Sequence, residues 1–86
     1  MIVNALFKHT KSGGLYLYTC CSILEKDLTP CVVYMSHDSK DKTYPAGTNW
    51  VRPIKQFLDR FTPENAEARR ALRQIIQFKD THENKE

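Results

Sequence analysis

Trp50 and Arg52 stand two positions apart in the segment Asn49-Trp50-Val51-Arg52 and carry complementary chemistry. An indole face stacks on a planar ring, and a guanidinium fork grips phosphate or carboxylate through paired donors. Tyr34, Tyr16, Lys11 and His9 add aromatic faces and cationic donors from the neighbouring apolar segments and the first turn. These six residues describe a surface for an anionic, planar, nucleotide-like ligand held without chemical change. The competing reading makes Trp50 and the tyrosines core or cross-strand pairs, with Arg52 stacked on a ring for packing alone. Alternation along a strand puts Trp50 and Arg52 on one face and Val51 on the other, with Val51 as the natural core residue. By the same rule Val33 is expected to point inward, with Val32 and Tyr34 sharing the opposite side.

Other constellations are weaker. Arg69 and Arg73 are neighbours at i, i+4 on a helix with Arg70 close by, a pattern able to follow a nucleic-acid backbone. The preceding acids Glu64 and Glu67 give that same pattern a plainer origin, acids first and bases last along a helix dipole. Cys20, Cys21, Cys31, His9, His37 and His82 lack the CxxC or HxxxH spacing of a metal site, so neither metal nor other cofactor is expected. No nucleophile, base and orienting group fall together, and Gly13-Gly14 joins two strands rather than leading from a strand into a phosphate-cradling helix. A binding module, not an enzyme, is the expectation.

The elements that must position these residues can be read in order. With 86 residues, 41% of them hydrophobic and 27% charged, the chain suits one domain over residues 1–79, followed by a frayed tail over 80–86. Residues 2–7 and 15–24 read as two strands about the Gly13-Gly14 turn, and residues 25–30 as a second turn before a strand over 31–35. Residues 36–48 have no apolar period and read as a long exposed loop, placed to act as a lid on the Trp50 surface. A short strand at 49–52 runs into Pro53 and a short helix, on which Ile54, Phe57, Leu58 and Phe61 share a face. Thr62-Pro63-Glu64 carries an N-cap hydroxyl, a proline and an acid, and so marks the start of a second helix reaching Phe78. Ala68, Leu72, Ile75 and Ile76 form its stripe, with Ala71 and Phe78 alongside.

Net charge is +3, a tilt toward anionic partners. No apolar run approaches the roughly 20 residues that cross a bilayer. Three cysteines, two of them adjacent and with no charged apolar leader before them, point to a reducing cytoplasm rather than a disulfide framework.

In the order Phe7-Lys8-His9, Lys11, Gly13-Gly14, Tyr16, Val32-Val33-Tyr34, Trp50-Val51-Arg52-Pro53 and Phe57, the chain resembles a bacterial and phage family known only as domain of unknown function 1653. The resemblance covers roughly residues 5–61. It departs in a longer loop between Tyr34 and Trp50 and in the added helix from Thr62. It implies a small SH3-like antiparallel barrel or strongly bent sheet; with the short helix near 53–60 and the C-terminal helix near 63–78 that the residues themselves mark, the expected fold is mainly β (α+β). The resemblance carries no reaction with it. It also implies the cytoplasm of a bacterial or phage-infected host cell, where such a module would sequester a host nucleotide signal. Two alternatives remain open. One is a protein-interaction or homodimerisation module that docks a host protein or a second copy on the aromatic face or the helix. The other is nucleic-acid binding through Arg69, Arg70 and Arg73.

Overall fold

A computed structural model describes residues 2–37 and 44–82. Its elements in chain order are β1 (Leu6–His9), β2 (Leu15–Leu24), β3 (Thr29–Ser36), β4 (Asn49–Pro53), α1 (Ile54–Arg60), β5 (Phe61–Pro63) and α2 (Ala66–His82). The five strands form one antiparallel sheet in the order β4-β3-β2-β1-β5. β4 and β5 lie at opposite edges, so the sheet is bent but open, and the closed form of the barrel expectation is not what the chain adopts. No helix among the described residues is long and apolar enough to cross a membrane.

Alternation holds along β3 from Val32 onward and along β4, but its sign differs from the sequence reading. Val32 and Tyr34 are the buried pair on β3, at 0% and 4% exposure, while Val33 is only half-buried. Val51, expected in the core, is 57% exposed. Register explains both: Val33 sits opposite Val51, and Tyr34 opposite Trp50. Helices α1 and α2 cover the Tyr34 face, and aromatic rings fill the space between a bent sheet and two helices better than valines do. A register shift between Tyr18 and Cys20 inserts Thr19 as an extra residue in β2. Such a bulge bends the strand and moves the inward set from even to odd positions, so that Tyr16 and Tyr18 are followed inward by Cys21.

The C-terminal half starts differently from the expectation. Thr62 and Pro63 do not begin a helix; with Phe61 they form β5, which pairs with β1 at His9↔Phe61, Lys8↔Thr62 and Phe7↔Pro63. The N-cap of α2 is Asn65, whose Oδ1 accepts from the Ala68 backbone N–H at 2.8 Å and from that of Leu6 at 3.2 Å. Its Nδ2 donates to the Asn4 carbonyl at 2.8 Å. One amide therefore starts the helix and ties it to the entry of β1, where Asn4 holds a left-handed backbone at φ 61°. α2 runs to His82, so residues 80–82 are helical rather than frayed; 83–86 lie outside the described residues, as does the 38–43 part of the expected lid. Ala68, Ala71 and Ile75 form the buried stripe, and Ile76 is 41% exposed.

Phe61 is the hub of the core. Its ring stacks on Phe57 at 4.4 Å and 10° and meets Tyr34 at 5.1 Å, Tyr16 at 5.5 Å and His9 at 4.9 Å edge-on. The Arg52 guanidinium lies 5.7 Å from its centroid. Phe61 on one edge strand thus touches Arg52 on the other, and α1 is the strap between them.

Asn65→Ala is expected to lower stability by about 1–2 kcal/mol, the range for a lost helix cap, which in a domain of this size moves the melting midpoint by at least about 4 °C. Phe61→Ala is expected to cost about 3–5 kcal/mol, and Phe61→Leu much less, because leucine retains most of the volume. Thermal and urea unfolding followed by circular dichroism measure both.

Candidate functional site

The mouth of the bent sheet is built from the β1–β2 turn, the end of α1 and the two edge strands. Gly13 takes φ 79°, a left-handed conformation that suits glycine, and its N–H donates to the His9 carbonyl at 2.8 Å. Gly14 has no Cβ for a second reason. A methyl there would come within 3.2 Å of Tyr16 Cε1, so a side chain at this position would push the tyrosine ring back by a few tenths of an ångström. The Arg60 carbonyl accepts from the Thr10 N–H at 2.9 Å and from the Thr10 hydroxyl at 3.2 Å. These bonds hold the last residue of α1 beside Lys11.

His9 lies at the centre of this arrangement, half-buried, with Phe61 against its ring. Its Nδ1 accepts from the Ser12 backbone N–H at 3.2 Å, which leaves the proton of the neutral imidazole on Nε2. Burial holds its pKa below the usual histidine value, and the positive charges of Arg52, Arg60 and Lys11 push it further down. Three cations from three different elements therefore act on one neutral ring. Among the described residues no carboxylate pairs with Arg52 or Lys11, and the Arg60 guanidinium reaches Asp59 only at 4.0 Å.

Of the six residues singled out in the sequence, His9, Lys11 and Arg52 are at this mouth, Tyr16 and Tyr34 belong to the packing behind it, and Trp50, nearer the start of β4, packs half-buried against the core. Arg52 donates through Nε to the Tyr34 hydroxyl at 3.2 Å, leaving its terminal nitrogens as the fork that suits an oxyanion. Tyr34 itself is enclosed by Tyr16, Phe57 and Phe61, so it positions Arg52 and presents no stacking face. Trp50 shares the face of Arg52 and is half-buried, with Nε1 donating to the Ser36 hydroxyl at 2.9 Å. Its ring meets Tyr44 at 4.9 Å and 71°, and Tyr44 is 47% exposed, so the two make a partly open aromatic corner. Tyr16 is half-buried and Lys11 is exposed. Arg60, Phe61, Ser36 and Tyr44 were not singled out in the sequence. Phe61 was visible only as the last member of an i, i+7 apolar face, and Arg60 becomes relevant only through its backbone bonds to Thr10.

The remaining candidates lie elsewhere. Arg69, Arg70 and Arg73 are exposed on α2, and none of them is among the charges acting on His9. Cys20 is exposed on the far side of the sheet, while burial pushes the Cys21 and Cys31 thiols up and away from the reactive thiolate form.

No protein-family model, curated protein or solved structure matches this chain.

The lowered His9 pKa fixes a sign for the pH dependence. The folded state resists a proton that the unfolded chain accepts near the ordinary value of 6.5, so the contribution of the neutral ring is complete above that pH and is lost on acidification below it. Imidazole NMR titration is expected to give a His9 midpoint below 6.5, and Arg52→Gln is expected to move it upward by removing one of the cations.

Proposed function

We propose that this chain is a non-catalytic binding module that captures a small, planar, anionic ligand at the mouth formed by His9, Lys11, Arg52 and Arg60, with Trp50 supplying ring surface. The observation that carries the reading is geometric: Arg52 and His9 meet on the Phe61 ring, and the Thr10 bonds hold Arg60 at the same rim next to Lys11. Arg52 is half-buried and Lys11 and Arg60 are exposed; like charges gathered at this rim repel one another in the free protein, and an anion placed among them is attracted by each. Packing on Phe61 and Tyr34 accounts for Arg52, and the Thr10 bonds account for the position of Arg60, with Lys11 next to Thr10; together they leave two further cations at the rim that the core does not use. The aromatic corner of Trp50 and Tyr44 favours a ligand with a flat ring attached to its phosphate or carboxylate, the chemistry of a nucleotide. In the setting implied by the resemblance to domain of unknown function 1653, such a module would act by sequestering a nucleotide signal of the host cell.

Calorimetric titration with nucleoside mono-, di- and triphosphates, a cyclic dinucleotide and inorganic phosphate tests the reading. Arg52→Gln is expected to weaken binding at least tenfold, about 1.4 kcal/mol, and Trp50→Ala to weaken a nucleotide more than phosphate alone. Binding is expected to tighten as the pH falls through the His9 midpoint, because the anion stabilises the protonated ring. Arg69→Gln with Arg73→Gln is expected to change nothing; a loss there would hand the site to the helix. Silence with every ligand in the panel removes the proposal.

A further inference from the structure

The sheet has a second face, turned away from both helices. Leu6 pairs with Leu17, Leu17 with Met35, and Val33 with Val51, while Leu15 sits beside Lys8 on the same side. These six apolar residues, Leu6, Leu15, Leu17, Val33, Met35 and Val51, run across four strands. None of them belongs to the core cluster or packs against it among the described residues, and Val51 is 57% exposed. An antiparallel sheet with one face in water ordinarily alternates apolar inward with polar outward. Here six outward positions are apolar, five of them half-buried and Val51 exposed, with the polar Lys8, Asn49 and Thr62 beside them.

We infer that this face is an interface with a second copy of the same chain, packed sheet on sheet about a two-fold axis. Size is the first argument. The five strands have 4, 10, 8, 5 and 3 residues, and at about 3.3 Å per residue and about 4.8 Å between strands the face is on the order of 500 Å² in plan. That is close to the roughly 600 Å² per partner at the low end of specific interfaces, the size of a weak dimer that forms at high concentration. Charge is the second. A two-fold interface joins a patch to itself, so the patch must be self-complementary. The β1 and β5 side of this face carries exposed Lys8 and, just past Pro63, exposed Glu64. One cation and one anion on the same rim allow Lys8 of each copy to meet Glu64 of the other, whereas a single-sign rim would repel its own image. Neutral residues fill the middle, which gives a strongly charged foreign partner nothing to read. Sheet-on-sheet packing also leaves the His9 mouth open on both copies, since it lies on the opposite face.

Sedimentation equilibrium over a concentration series is the primary test, with a mass near twice 10.0 kDa expected at high concentration. Val51→Glu, at an exposed position where folding is indifferent to the change, is expected to give a monomer with an unaltered circular dichroism spectrum. Val33→Glu is expected to do the same from the centre of the patch. Cys20 shares the face and is exposed in the single chain, so its alkylation is expected to slow as concentration rises in the wild type and to lose that dependence in Val51→Glu. A monomer at every concentration overturns the inference. So does a dimer that survives both substitutions but dissociates with Ile76→Glu, which would move the contact to α2, or Cys20 protection that appears only when other proteins are added.

Discussion

One ring holds the structure to its shape. Phe61 begins the last strand, at one edge of the sheet, yet it contacts Arg52 on the strand at the other edge. A sheet brings its edges that close only by bending strongly, and the bulge at Thr19 supplies part of the bend. The seven-residue helix α1 supplies the rest by spanning from β4 to β5 and burying Ile54 and Phe57 beneath the curved face. The stacked Phe57 and Phe61 pair is therefore both the centre of the core and the clasp between the edges. Aromatic pairs add about 0.5–1.5 kcal/mol beyond the area they bury, and Phe61 takes part in several such contacts at once.

The same ring organises the electrostatics. His9 rests on one side of Phe61 and Arg52 approaches it from another, so closing the core draws an imidazole and a guanidinium together that lie on strands three places apart in the sheet. The Thr10 bonds to Arg60 then bring the end of α1, and with it a second arginine, to the same rim. Each interaction has an ordinary packing or backbone origin. Their sum is a cationic mouth that no one of them requires, with Tyr34 and Phe61 as its support.

Much of this was legible in residue order. Trp50-Val51-Arg52-Pro53 announces a strand that ends where a helix begins, because proline lacks the donor to continue a ladder and has the φ of a first helical turn. The pairing of Trp50 with Arg52 on one face follows from the period of two. What misled was local chemistry that two structures share. Thr62-Pro63-Glu64 has the composition of a helix start, but Phe61 had a place in the core and drew its neighbours into a strand beside β1. Asn65 then took over as the cap. Val33 and Val51 look like core residues by type, yet their aromatic neighbours fit the space under the helices and displaced them to the outer face.

The sequence by itself determined the period of each element, the positions of its turns and the fact that Trp50 and Arg52 project to the same side, because these depend on interactions between residues close in the chain. Only the tertiary structure decided which side of the sheet became the interior, which residue capped α2, and which cations met around His9. Those outcomes rest on contacts between residues some 50 positions apart, such as Thr10 with Arg60 and His9 with Phe61, and no local rule carries that information.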